Sequence, residues 1–134
     1  MQIGMFYQIQ VPRPWSDTSD FDHYWEMMDQ VVLAEELGFE SVWMADHQFR
    51  TEWSHSSAPD VTLAAISQRT SRIRLGIAVA VPPVQHPLHI AARTATLDIL
   101  SNGRVDLGVG RSGYPYQMAA FGTDIQDATG PSTD

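Results

Sequence analysis

The sequence predicts an α/β fold made of parallel strands joined by helical crossovers. Short apolar runs alternate along the chain with longer segments whose apolar residues recur three or four apart, so the order reads strand, helix, strand, helix, strand, helix, strand. One run, IRLGIAVAVPP at 73–83, is almost continuously apolar, the pattern of a strand covered on both faces. Such alternation implies a parallel sheet with right-handed connections.

Ile3 to Tyr7 forms the first apolar run. VPRPWSDTSD follows as a loop, with two prolines and several cap-type residues, and Ser19 or Asp20 is placed to cap the next helix. From Phe21 to Leu37, Tyr24, Met27, Met28, Val31, Val32, Ala34 and Leu37 keep helical spacing, and Gly38 supplies the stop. Phe39 to Ala45 reads as a buried strand. The segment DHQFRTEWSHSSAP is polar, irregular and long for a connection. Pro59 suits the first turn of a second helix through DVTLAAISQRTS, with Ser57 or Ala58 ahead of it and S-S-A-P as capping chemistry. A third helix opens at Pro87, with His86 as its cap, and closes at Asn102-Gly103. RVDLGVG is the fourth strand. Residues 1–124 read as one unit and 125–134 as a polar, frayed tail.

Composition narrows the function classes. A length of 134 residues with 43% apolar content fits one small globular domain. The absence of cysteine excludes disulfides, thiolate metal sites and a cysteine nucleophile. The net charge is −8 and the eight basic residues are scattered arginines, which speaks against nucleic acid as a partner. No apolar run approaches the roughly 18 residues of a membrane span, and the first six residues lack a basic n-region. A soluble, cytoplasmic protein is therefore expected. No G-x-S-x-G elbow is present, which disfavours a serine hydrolase.

Ligands of parallel β/α folds gather at the carboxyl ends of the strands. Those positions hold Gln8 and Gln10, then Asp46, His47 and Gln48, then Pro82 and Pro83, then Arg111, Ser112, Gly113 and Tyr114. GVGRSG at 108–113 matches the dinucleotide fingerprint G-x-G-x-x-G. It follows the last strand rather than the first, no acid-ended strand comes after it, and Pro115 interrupts the helix that should start there, so its context argues against a Rossmann site. Arg111 admits two readings. Its guanidinium and the neighbouring amides suit a phosphate monoester, or it pairs with one of sixteen carboxylates. His47 is a candidate general base, a hydrogen-bonded structural histidine, or a metal ligand together with Asp46 and His55, although no metal spacing is matched. The four tryptophans read as core or interface residues.

Four stretches taken together, AEELGFESVWMADHQF (34–49), SSAPDVTLAAISQRTSRIRLG (56–76), HPLHIAARTATLDILSNGRVDLGVGRSG (86–113) and FGTD (121–124), resemble the bacterial luciferase-like, flavin-dependent monooxygenases. The resemblance runs in family order from Met1 to about Asp124. It implies a TIM (β/α)8 barrel, of which this chain is the N-terminal half, with reduced FMN at the carboxyl face. It further implies O2 and a small organic substrate such as an aldehyde, a flavin reductase as the source of reduced flavin, and a dimer formed through the second and third helices. A related branch that uses a deazaflavin coenzyme, and a non-catalytic flavin-binding or partner subunit, stay open. By the same resemblance Arg111 lies where the FMN phosphate is held, with Ser112 and Gly113 continuing that loop. His47 becomes the catalytic histidine, Ala78 and Val79 fall at a non-proline cis peptide beneath the flavin ring, and Phe6 lies in the floor of the pocket. Gln48 stands in the substrate pocket where the family carries a second histidine, and Asp46 replaces the usual glutamate. A full barrel takes about 250 residues. Four strands of eight leave the first and fourth as open edges, with their inward faces uncovered.

Overall fold

The computed structural model describes residues 2–111 and 114–123. Its order is β1 (Gly4–Tyr7), α1 (Ser19–Glu36), β2 (Ser41–Met44), α2 (Pro59–Ser67), β3 (Arg74–Ala80), α3 (Pro87–Ser101), β4 (Val105–Val109) and α4 (Pro115–Ala120). The four strands form one parallel sheet in chain order, as alternating right-handed β/α units require. No described helix is long and apolar enough to cross a membrane. The tail at 125–134, with Asp124, Ser112 and Gly113, lies outside the described residues.

Side chains alternate across a strand, so the register sorts them into two faces. Met5, Val42, Leu75 and Val105 align in one row, and Tyr7, Met44, Ile77 and Leu107 in another on the same face. Those rows, Leu107 aside, pack with Val31, Ala34, Leu63, Ile66, Ile90 and Leu97 of α1, α2 and α3 into one core, in which Val42, Met44 and Leu75 are fully buried. The opposite face carries Phe6, Trp43, Gly76 and Asp106 in one row. Trp43 lies over Gly76, where a Cβ would come within 2.2 Å of the indole. Phe6 is 54% exposed and Val79 37%. The both-faces burial expected for β3 therefore holds at Gly76 and fails at Val79, because no described element covers that part of the sheet.

The elements follow the sequence pattern, while their caps depart from it. Neither Ser19 nor Asp20 caps α1; Thr18 is the N-cap residue, and its side chain accepts no cap hydrogen bond. Ser19 Oγ instead accepts from the Ser16 amide at 2.8 Å, and the Asp20 carboxylate pairs with His55. α2 starts behind Ala58 with no side-chain cap. The serines expected there serve the rim instead: Ser56 Oγ donates to the Ala45 carbonyl at 2.7 Å. His86 caps α3 as expected, accepting from the Leu88 amide at 3.2 Å, and Asn102 ends the helix in the left-handed region at φ 58°. Pro115 starts a helix rather than blocking one: it occupies the first turn of α4, where a missing N–H costs nothing. The tryptophans lie at the surface more than in the core, with Trp15, Trp25 and Trp53 each 39–47% exposed.

Candidate functional site

The carboxyl ends of β2, β3 and β4 meet on one rim. The long segment after β2 is held there by its own serines and amides. Ser54 Oγ donates to the Gln8 carbonyl at 2.6 Å, the His55 amide to Ile9 O at 2.9 Å, and the His47 amide to Ser56 O at 2.9 Å. The loop thus folds back against the ends of both β1 and β2, and this fixes His47. Nδ1 of His47 is buried with no hydrogen-bond partner among the described residues, as is Oε1 of Gln8. Tyr114 packs edge-on against the imidazole, centroids 5.5 Å apart. Burial pushes the His47 pKa below its ordinary 6.5, and Asp46 only partly opposes this. The ring is therefore held neutral at pH 7.

The cis peptide of Ala78–Val79 is present, at the point where the β3–β4 register shifts between Ile77 and Ala80. The close pairing of β4 with β3 explains the glycines of the apparent fingerprint. A Cβ on Gly108 would meet Ile77 O at 2.7 Å, and one on Gly110 would meet Val79 Cγ2 at 2.6 Å. These glycines make room for β3 and the Val79 side chain, which is a packing need unrelated to a pyrophosphate.

Arg111 follows directly on the exposed side of the rim and enters no hydrogen bond or ion pair among the described residues. The carboxylate-pairing alternative is realised by other arginines, including Arg74 with Asp106 at 2.5 Å and Arg93 with Asp60 at 3.0 Å. Phe6 stands on the uncovered face of the sheet. His55 is turned away from His47: its ring nitrogens face the Asp20 carboxylate and, at 2.9 Å, the Thr51 carbonyl. Among the described residues no three His, Cys, Asp or Glu side chains are gathered as a metal site.

Asp46 is 5% exposed and accepts from the amides of Gln48 and Gln85. Burial raises its pKa, against the pull of those two donors. Gln48 also donates to Ser57 O at 3.1 Å and accepts from Gln117 Nε2. Its amide is committed to loop–loop contacts beside a cleft of about 230 Å³ lined by Asp46, Gln48, Gln85, Ile90 and Arg93. Sequence reasoning missed Gln85 and Gln117. The first was legible as a lone amide between Pro83 and Pro87, but the second lies on a short helix that carries no periodic signal.

A bound flavin mononucleotide fits these groups. It needs a cation for its phosphate, which Arg111 offers, and a sheet face left uncovered for its ring, which Val79 and Phe6 present. A partner for the buried His47 nitrogen completes the set.

Comparison with known proteins agrees. The flavin-dependent trigonelline monooxygenase, oxygenase component, of Acinetobacter baylyi is 31% identical over 94 residues, covering 70% of this chain and 26% of that protein. An F420-dependent glucose-6-phosphate dehydrogenase of Amycolatopsis mediterranei is 36% identical over 102 residues, 74% of this chain and 31% of that protein. The crystal structure of the monooxygenase RslO1 from Streptomyces bottropensis superposes with a TM-score of 0.86 at 33% identity, covering 96% of this chain and 39% of that one. The chain thus spans roughly a third of the length of the proteins it matches. The four parallel strands, the rim they present and a family match over residues 1–130 agree: the chain belongs to the luciferase-like monooxygenases.

Proposed function

We propose that this chain forms the flavin-binding N-terminal half of a reduced-FMN-dependent monooxygenase barrel. The observation that carries the reading is a pair of unspent groups on one rim. The exposed Arg111 guanidinium and the buried, unpartnered Nδ1 of His47 both lack protein partners among the described residues. Arg111, with Ser112 and Gly113, would hold the phosphate through charge-assisted hydrogen bonds. Ala78 and Val79 would support the ring from β3, and Phe6 would wall the substrate side. A bound reduced flavin supplies the electrons with which O2 is activated and an organic substrate oxygenated. The neutral His47, oriented by Tyr114, accepts or returns a proton at Nδ1. Gln48 lines the substrate side from the same loop.

Four strands leave the Phe6 face without a cover, and further barrel strands would close it and exclude water. A flavin reductase supplies reduced cofactor in this reading, since the trigonelline relative is the oxygenase component of its system. The protein is taken as cytoplasmic and dimeric. Val61, Leu88, Ile99 and Leu100 on α2 and α3 are each more than half exposed, and Ala64 and Ala92 line the groove between them. Burying that face against a second copy is the expected association.

A deazaflavin-dependent hydride transfer is the second reading, favoured by the F420-dependent relative. Anaerobic titration separates the two. Reduced FMN should bind and its reoxidation rate in O2 should change on binding, whereas tight binding of a reduced deazaflavin coenzyme, with FMN excluded, would select the second reading. No binding by either would leave the chain a non-catalytic relative.

A further inference from the structure

We infer that Asp46 is a positioning residue, the all-acceptor hub of an amide chain that ties the His47 loop to the segment following Arg111. This rests on the flavin site proposed above. The chain runs from Arg93 to Gln117. Arg93 donates from Nη2 to Gln85 Oε1 at 2.9 Å, and Gln85 Nε2 donates to Asp46 Oδ2. On the other arm, Gln117 Nε2 donates to Gln48 Oε1, and Gln48 Nε2 donates to Asp46 Oδ1 and to Ser57 O. These residues stand on α3, on the loops after β3 and β2, and on α4. Three carboxyl-end loops therefore converge on one buried carboxylate.

The direction of every bond is fixed by chemistry. Arginine only donates, so Gln85 must turn its oxygen to Arg93 and its NH2 to Asp46. Ser57 O only accepts, so Gln48 must turn its NH2 toward Ser57 and Asp46 and its oxygen toward Gln117. Both arms thus deliver donors to residue 46, and only a carboxylate receives both. An asparagine there has the same shape but sets its own NH2 against one glutamine NH2. Neither glutamine relieves that conflict by flipping. A flipped Gln85 faces Arg93 with its NH2, and a flipped Gln48 sets its oxygen against Ser57 O and its NH2 against that of Gln117. A glutamate at 46 keeps the polarity.

The test compares D46N with D46E in the full 134-residue chain. Two readouts are used: the ratio of FMN to riboflavin affinity, and the backbone amide shifts. D46N should lower FMN affinity about tenfold, the scale of one lost charge-assisted arrangement, and leave riboflavin binding unchanged. Its shift changes should reach residues 114–118, while D46E keeps both properties. Q117M cuts the far arm without altering the buried carboxylate and should lower the FMN preference as well, which covers the case of D46N failing to fold. Shift changes that stop at residues 46–48 and 85, with an unaltered FMN ratio, would overturn the inference. If the wild-type chain does not prefer FMN to riboflavin, the flavin reading fails by itself. The reach of the D46N shift changes then decides whether Asp46 joins these loops.

Discussion

Two arginines bracket β4. Arg104, at its amino end, is 8% exposed and spends its guanidinium on Ser101 O at 2.7 Å, Thr70 Oγ1 at 2.9 Å, Ile73 O at 3.0 Å, Ser67 O at 2.9 Å and Thr70 O at 3.1 Å. Arg111, at the carboxyl end, is exposed and bonded to none of the described residues. The same side chain serves opposite purposes at the two rims. At the amino rim the neighbouring groups are likewise satisfied. The Glu35 carboxylate accepts from the amides of Ser71, Arg72 and Ile73 at 2.7–3.1 Å, and closes the turn into β3. At the carboxyl rim, buried atoms of His47 and Gln8 lack partners among the described residues. An unpaired buried polar atom costs free energy, and a ligand or an ordered water that meets it removes that cost. The contrast places satisfied polar groups at the amino ends of the strands and unspent ones at the carboxyl ends, the ends where barrel enzymes generally bind their ligands.

Substitution of Arg104 should have the largest effect on stability. R104M leaves four carbonyls and a hydroxyl near Ser67, Thr70, Ile73 and Ser101 without a donor, and should cost at least about 3 kcal/mol in urea unfolding. A cost below about 1 kcal/mol would erase the distinction between the rims.

Glu35 should come next. Burial alone would raise its pKa, but the amides of Ile73, Arg72 and Ser71 prevail and hold it at about 2, against 4.5 ordinarily. A lowered carboxyl pKa stabilises the fold above the unfolded value of 4.5, and that stability is lost as pH falls from there toward about 2. E35Q should therefore cost about 1 kcal/mol at pH 7, discounted for the partial exposure of the site. The gap from wild type should shrink below pH 3, as followed by urea melts at both pH values. A gap that does not change with pH would show that the amides are not reading the charge.

His47 offers a finer test at the other rim. Its ring should titrate below the ordinary 6.5 in an NMR pH series, because burial disfavours the imidazolium. The unfolded chain then binds the extra proton first, so stability contributed by this group rises with pH up to about 6.5 and is flat above it. A flavin that engages Nδ1 should shift that titration further, while titration at or above 6.5 in the free chain would mean the ring is solvated.

The amino-acid pattern made the alternation of strands and helices legible because both periods were strong and Gly38, Pro59, Pro87 and Gly103 marked the boundaries. α4 escaped, since six residues carry too few periods to register. The caps of α1 and α2 escaped because Ser19 accepts from the nearby Ser16 amide, while Asp20 and Ser56 have tertiary partners that local sequence does not show. At the rim, the positions of His47 and Arg111 were legible from their places after strands. Gly108 and Gly110 matched a phosphate-binding pattern while answering to Val79 on the neighbouring strand, a contact set by register rather than by spacing. The Asp46 network depends on four elements meeting at one point, so no single stretch of sequence contains it.

R111A should have the smallest effect on folding, within about 0.5 kcal/mol, as for an exposed side chain with no partner among the described residues, and it is the most direct test of the functional claim. Calorimetric titration of wild type and R111A with FMN and with riboflavin isolates the phosphate. The wild type should prefer FMN by roughly ten- to a hundredfold, the worth of a charge-assisted guanidinium–phosphate contact, and R111A should bind both flavins alike. An R111A chain that keeps the full preference for FMN would contradict the assignment of the carboxyl rim as the phosphate site.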